Sequence, residues 1–190
     1  MAWSVQLSEF DISFETRGYI IAQALAYFIT ELTPAAEPTL GKDWYLSMDG
    51  SSNHTGSGAG IILERPNDIL IEQSLHFEFR ASNNQAEYEA LLAGMKLEQE
   101  LEFKRLTAKS DSKLVTGQVN GEYQAKDPQL IKYWERATKM AASFESFMLL
   151  HVPRDQNERA DLLAKLASTQ RRGHQQSVIH ENLSTPTVDK

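Results

Sequence analysis

The chain contains no cysteine, and its 19 lysines and arginines are outnumbered by 26 aspartates and glutamates. Without cysteine there are no disulfides and no thiolate metal sites, which suits a reducing compartment and an intracellular location, cytoplasm or nucleus. The formal net charge is −7, so composition does not provide the broad basic surface usual for nucleic-acid-binding proteins. Phosphate binding here would have to rely on local donors and bound cations. Long apolar runs are missing as well: none reaches the ~18 residues a membrane span needs. The nearest approach, Tyr19 to Ile29, is interrupted by Gln23 and preceded by acidic residues, the reverse of a signal peptide. There is no P-loop and no His-Glu-x-x-His. Gly56, Gly58 and Gly60 alternate but lead into a strand pattern rather than a helix, which excludes a dinucleotide-binding turn. Internal repeats and low-complexity tracts are absent. What is present is 190 residues, 41% of them hydrophobic, enough for one cored domain with extensions.

Three segments follow from the pattern. Residues 1–38 form a first block, in which Leu7, Phe10, Ile12 and Phe14 alternate as in a strand and Ile20 to Leu32 reads as a helix. A linker at Pro34 to Pro38 closes it. The main domain spans residues 40–168. Trp44, Leu46 and Met48 alternate with Tyr45, Ser47 and Asp49, a strand pattern. Ala59 to Glu64 and Ile69 to Phe79 read as two further strands, separated by a reversal at Pro66-Asn67-Asp68. Together the three predict an antiparallel meander. Helices are expected from Asn84 to Leu101, Lys113 to Tyr123, Pro128 to Ser143 and Asn157 to Ala167, with strands at Arg105 to Ser110 and Phe144 to Val152. Strands followed by this alternation imply an α/β fold, a mixed sheet with helices on its faces. Residues 169–190 turn polar and are expected to be a flexible tail.

Four acids stand in distinctive contexts: Asp49 in Met-Asp-Gly-Ser, Glu87 in Ser-Asn-Asn-Gln-Ala-Glu, Asp111 in Ser-Asp-Ser and Asp161 in Asn-Glu-Arg-Ala-Asp. Singly, each has an ordinary explanation. Asp-Gly is a common reversal, an acid in a first helical turn favours the helix dipole, Asp111 can cap the next helix, and a lone Asp on an apolar-faced helix is usually solvated. Jointly they mean more. Two end strands and two ride on helices, and in mixed α/β sheets ligand sites gather at strand carboxyl ends. Four carboxylates at one spot repel each other, and near neutral pH only bound cations make that tolerable. Hard divalent ions such as Mg²⁺ prefer oxygen ligands, so the set predicts a metal-dependent phosphoryl-transfer site.

The Asp-Gly-Ser strand end, the Asn-Asn-x-Ala-Glu helix start, the Ser-Asp-Ser turn and the Asn-x-x-Ala-Asp helix resemble, in order and interval, the type 1 ribonuclease H family over Lys42 to Ser168. The resemblance implies a ribonuclease H-like fold: a five-stranded mixed sheet, meander first and parallel strands after, flanked by helices. It also implies two Mg²⁺ ions, with Mn²⁺ as a substitute, held by Asp49, Glu87, Asp111 and Asp161, and hydrolysis of the RNA strand of an RNA–DNA hybrid. Two metals about 4 Å apart can clamp the attacking and leaving oxygens of an in-line displacement. Asp49 is then the expected bridging ligand, with Glu87 and Asp111 completing one shell and Asp161 holding the ion that carries the nucleophilic water. RNA is distinguished from DNA through its 2′-hydroxyls. Asn83, Asn84 and Gln85 are the expected donors to them, with the backbone amides of Gly50 and Ser51 approaching the same strand.

Two departures from the family bear on activity. Arg154 stands roughly where many relatives carry a mobile histidine in the loop before the last acid, while His151 falls in the preceding strand. The span from Tyr123 to Pro128 leaves no room for the basic helical protrusion found in some members. The first block, through Trp3 to Ile12 and Gln23 to Ala26, resembles the end of the polymerase-connection region in gypsy-type LTR retrotransposon polyproteins, especially those of plants. A reverse transcriptase polymerase domain is accordingly an expected partner besides the hybrid, with no membrane involved. The competing expectations are a catalytically weak nucleic-acid-binding remnant and a different nuclease, such as an exonuclease, on the same architecture.

Overall fold

The computed structural model describes residues 44–65, 69–169 and 178–189, all within one compact unit, Pro38–Lys190. The strand, helix and linker expected in the first block, and the reversal at residues 66–68, lie outside the described residues.

Six strands form one sheet. β1 (Trp44–Ser52), β2 (Ser57–Arg65) and β3 (Ile69–Phe77) are the expected antiparallel meander. β4 (Arg105–Ser110) lies parallel to β1, and β5 (Ser146–His151) parallel to β4. β6 (Val178–Leu183) runs parallel to β3, giving the order β5-β4-β1-β2-β3-β6. The period-two pattern of β1 is the cause of its placement: Trp44, Leu46 and Met48 are buried, while Tyr45 and Ser47 are only partly covered.

Helix α1 (Asn83–Glu100) starts at a capping box. The Ser82 hydroxyl accepts from the Gln85 N–H at 3.3 Å and the Gln85 side chain accepts from the Ser82 N–H at 2.8 Å. Helix α2 (Lys113–Val119) is capped by Ser112 and stops short of the expected Tyr123. The chain turns there through Gly121, whose φ is 81°, and the Tyr123 ring folds back onto Gly117. Helix α3 (Pro128–Ala141) opens as expected, with the Asp127 carboxylate accepting from the N–H groups of Gln129 and Leu130 and proline in the first turn. Helix α4 (Glu158–Ser168) follows a single 3-10 turn at Arg154–Gln156.

The helices take opposite faces of the sheet. On one face α1 packs over β1 and β2, with Leu46 against Gly94, and α3 packs on α1. On the other, α4 crosses β1, β2 and β3. Gly56, Gly58 and Gly60 are its bed. A Cβ on Gly60 would lie 2.2 Å from the Ala160 carbonyl oxygen, one on Gly58 2.6 Å from Ala167 Cβ, and one on Gly56 2.6 Å from the Ser168 carbonyl oxygen. The alternating glycines thus let a helix backbone settle on a strand.

The sequence-based expectation of five strands and a flexible tail requires correction. β6 pairs with β3 from Glu72–Val178 to Phe77–Leu183. Val178 joins Ile62, Ala160 and Leu163 in the core under α4. Beyond it, the N–H of Thr187 donates to the buried Glu89 carboxylate at 2.7 Å, and Lys132 pairs with Asp189 at 3.2 Å. An edge strand that buries one residue in six has too little hydrophobic contrast to be read as a strand.

Replacing Gly60 by Ala forces α4 off β2. Overpacking of this kind costs about 1–3 kcal/mol, and the midpoint of urea unfolding is expected to fall accordingly. A midpoint equal to that of the parent chain would refute the glycine bed.

Candidate active site

The site lies where two parallel strands part. Pairing between β1 and β4 runs from Trp44–Leu106 to Ser47–Lys109, so Asp49 and Asp111 each stand two residues beyond the last pair, Asp111 just past the end of β4 and Asp49 still within β1, which runs on paired with β2 to Ser52 rather than ending at Asp49 as expected. Glu87 reaches them from the first turns of α1, because Gly50 lets that helix touch β1. A Cβ on Gly50 would fall 2.2 Å from the backbone of Ala86 and Glu87. Carboxylate oxygens of Asp49, Glu87 and Asp111 all lie within 4.8 Å of one another.

Electrostatics mark this cluster as unfinished without a counter-charge. Burial, with the charges of Asp111 and Asp161, pushes Asp49 up to about 7, Arg154 acting weakly against them. Burial, with the charges of Asp49 and Asp111, pushes Glu87 up to about 9. The Gly50 N–H opposes this by donating to Glu87. Glu87 Oε2 is buried and has no hydrogen-bond partner. An orphaned carboxylate oxygen facing two further carboxylates is the donor set that a hard divalent cation takes, so the residues fit the predicted ion.

Asp161, the fourth acid, does not join the three. Its Oδ1 accepts from Arg154 Nη2 at 3.0 Å and its Oδ2 from Lys165 Nζ at 2.5 Å. Burial works to raise its pKa, but these two hydrogen bonds and charges outweigh it and hold the carboxyl below its ordinary value. Arg154, mostly exposed, feels Asp111 and Asp49 in addition to Asp161, so it stands at the edge of the cluster.

The remaining expected residues line one rim. Asn83 is exposed at the start of α1, with its side-chain oxygen accepting from the Ser52 N–H at 3.1 Å. Asn84 and Gln85 follow half-buried. Gln85 uses its carbonyl in the capping box, and the Gly50 amide goes to Glu87 rather than to a bound strand. The capping bond takes only the Gln85 oxygen and not its amide donors, whereas the Gly50 amide is committed to Glu87. Ser51 is half-buried on β1. His151 ends β5 as an exposed sheet residue.

In the sequence Asn157 stands out only as part of the Asn-x-x-Ala-Asp pattern. It is buried, and its Nδ2 donates to the Met48 carbonyl at 2.8 Å. It therefore ties the start of α4 to the residue before Asp49. The sequence offers only an asparagine at a helix start, an ordinary cap residue; that it makes no cap bond and reaches β1 instead is visible in the structure alone.

Comparison with known proteins agrees with this geometry. Residues 47–167 match the reverse transcriptase-like family. A ribonuclease HI of Halobacterium salinarum is 33% identical over 140 residues, covering 73% of this chain and 70% of that protein. A bifunctional protein of Mycobacterium tuberculosis is 32% identical over 122 residues, 63% of this chain but only 34% of its own length. Among solved structures, RNase H1 from Halobacterium salinarum superposes with a TM-score of 0.62 at 33% identity, over 66% of this chain and 96% of that one. The N-terminal RNase H domain of a Mycobacterium tuberculosis protein gives 0.60 at 30% identity, over 67% and 94%. LC11-RNase H1, solved with an RNA/DNA hybrid, shares the fold at 0.60 and 23% identity, over 68% and 99%. With residues 47–167 matched by the reverse transcriptase-like family model and a ribonuclease HI 33% identical over 70% of its length, this chain belongs to the reverse transcriptase-like, ribonuclease HI family of enzymes.

Proposed function

We propose that the chain is an endoribonuclease that hydrolyses the RNA strand of RNA–DNA hybrids, leaving 5′-phosphate and 3′-hydroxyl ends. The observation that carries this reading is the convergence of Asp49, Glu87 and Asp111 within 4.8 Å. Asp49, Glu87 and Asp111, joined by Asp161, would hold two Mg²⁺, with Mn²⁺ as a substitute. Divalent ions at such a site make water more acidic and stabilise the departing oxygen.

The chain's own residues supply position and selection. Asp49 sits between the other acids and is the natural shared ligand. Asn83 is exposed and anchored through its side-chain oxygen to Ser52, and its amide nitrogen would donate to a 2′-hydroxyl, the group that separates RNA from DNA. Asn84, Gln85 and Ser51 extend that rim. Arg154 offers a planar donor fork to a phosphodiester. With a net charge of −7 and eight residues between α2 and α3 (120–127), there is little basic surface for the duplex backbone, so hybrid binding is weak and salt-sensitive. The same proposal includes origin in a gypsy-type LTR retrotransposon polyprotein and a reverse transcriptase polymerase domain as partner. It is supported by the resemblance of Trp3 to Ile12 and Gln23 to Ala26.

The deciding assay offers labelled RNA–DNA hybrid, DNA duplex and RNA duplex in Mg²⁺. Cleavage of the hybrid's RNA strand alone, abolished by EDTA, is expected. Binding without cleavage in Mg²⁺ or Mn²⁺ would instead support the catalytically weak remnant. The Asp49→Asn variant should lose about a thousandfold or more in rate, and undiminished cleavage by it would reject the assignment.

Two pH effects follow. A cation must displace the protons that burial keeps on Asp49 and Glu87. Divalent-ion affinity, read by calorimetry, should therefore rise about tenfold or more from pH 6 to pH 7, and a flat profile would count against the site. Folding stability moves the other way in the metal-free protein. Raised carboxyl pKa values favour the fold while the groups are protonated, and that contribution is lost as pH climbs through about 7 for Asp49, about 8 for the buried, unpartnered Glu98 and about 9 for Glu87. Asp49→Asn removes one of the three. It should raise metal-free stability at pH 8 by about 1–3 kcal/mol, with little effect at pH 4, as followed by thermal melts.

A further inference from the structure

Glu87, Tyr88 and Glu89 follow one another on α1, so they leave the helix about 100° apart and meet three different parts of the molecule. Glu87 joins the acid cluster. The Tyr88 hydroxyl donates to Gln118 Oε1 of α2 at 2.8 Å, and the Tyr88 ring stacks on Tyr133 of α3 with centroids 5.6 Å apart. Glu89 is 1% exposed. It accepts from the Tyr133 hydroxyl at 2.6 Å and from both the N–H and the hydroxyl of Thr187. Among the described residues, then, two of its three hydrogen bonds come from one residue outside the stretch 47–167 that matches the family. A carboxylate this deeply buried keeps its place only while its donors stay on it. Glu87 is held far less firmly. The Gly50 N–H donates to it, its Oε2 has no partner, and the charges of Asp49 and Asp111 act against it. A small turn of α1 about its own axis would relieve that repulsion. The contacts of Tyr88 and Glu89, on other sides of the helix, oppose such a turn.

We propose that Thr187 is a positioning residue for hydrolysis: through Glu89 it fixes the rotation of α1, and with it the place of Glu87 among the acids, a role that rests on the reading of Glu87 as an active-site residue. The chain delivers Thr187 to this point by a rigid route. β6 pairs with β3 as far as Phe77–Leu183, and the 3-10 turn Thr187–Asp189 follows. The unit that acts on substrate therefore extends past the family match to include that turn. Misplacing a reacting group by about 1 Å can cost about a hundredfold in rate, so a slight turn of α1 is enough to matter. Substrate affinity is less exposed to it. Asn83 has its own tie to Ser52, and Ser51 and Arg154 stand on other elements. The loss expected on releasing Glu89 is thus in kcat rather than in KM.

The test uses the full chain. Thr187→Val keeps the side-chain shape and the backbone N–H but removes the hydroxyl donor. With labelled RNA–DNA hybrid in saturating Mg²⁺, well below the melting midpoint, it should lower kcat about tenfold and change KM by less than about twofold. Thr187→Ser should restore the parent kcat. Lys132→Met breaks the exposed pair with Asp189 in the same turn and should leave kcat as in the parent chain. A second readout needs no turnover: hydrogen exchange of the Gly50 amide, the donor to Glu87, measured against the Leu63 amide of β2 in the metal-free protein. That ratio should rise about tenfold in Thr187→Val and stay at the parent value in Thr187→Ser and Lys132→Met. A general loosening of the fold would speed both amides together and leave the ratio alone. An unchanged ratio in Thr187→Val would overturn the inference whatever happens to kcat. So would a loss that Thr187→Ser shares, or an unchanged kcat in Thr187→Val on a chain that cleaves hybrid. Should the parent chain cleave no hybrid, the hydrolase reading fails, and the exchange ratio alone decides whether Thr187 sets the place of Glu87.

Discussion

Mutual repulsion among buried carboxylates is the constraint to which the rest of the structure answers. Asp49, Glu87 and Asp111 are brought together by three unrelated pieces of chain, with Arg154 acting on them from the edge. Such a cluster forms only because strand pairing, helix packing and a glycine contact are collectively stronger than the repulsion. The sheet supplies two of the acids simply by running β1 and β4 parallel and stopping their pairing early. Helix α1 supplies the third because Gly50 has no side chain to hold it off. The fold therefore stores an unfavourable charge arrangement that a divalent ion would relieve, the kind of perturbed cluster found at functional sites.

The opposite face of the sheet shows how the fourth acid is managed. Helix α4 is pinned at two levels. Along its length it rests on the glycines of β2, and at its start the Asn157 amide holds the Met48 carbonyl. Both anchors are backbone-directed and leave little slack, so Asp161 is delivered to the edge of the cluster with small positional error. Its ion pairs with Arg154 and Lys165 then offset the burial of its charge. One sheet thus carries two kinds of carboxylate. Asp49 and Glu87 are buried beside other carboxylates and pushed toward protonation. The fourth is paired and kept ionised.

Much of this was legible in the sequence, for physical reasons. The alternation of Trp44, Leu46 and Met48 reports a strand because one of its faces is buried. Asp127-Pro128 reports a helix start because a carboxylate and a missing N–H both suit that position. The four acids could be recognised jointly because each sits in a distinctive local context, in an order and at intervals that resemble one family. The illegible parts have equally definite causes. Gly56, Gly58 and Gly60 cannot announce which helix will cover them, since their role is to contribute nothing. The divided behaviour of the four acids depends on Arg154 and Lys165 reaching Asp161 in space, and neither residue type nor spacing decides that. β6 hides because an edge strand with polar alternation looks like coil. The early end of α2 depends on Tyr123 folding back over Gly117, a contact made outside the helix.

The last described residues carry a consequence of their own. Thr187 donates both its N–H and its hydroxyl to Glu89, which also accepts from the Tyr133 hydroxyl at 2.6 Å. Glu89 lies two positions after Glu87 on the same helix. Its carboxylate is therefore a knot in which the segment at Thr187, α3 and the helix bearing a catalytic candidate are fastened together. A load on that segment is borne by α1, two positions from Glu87, although Thr187 lies outside the stretch that matches the family.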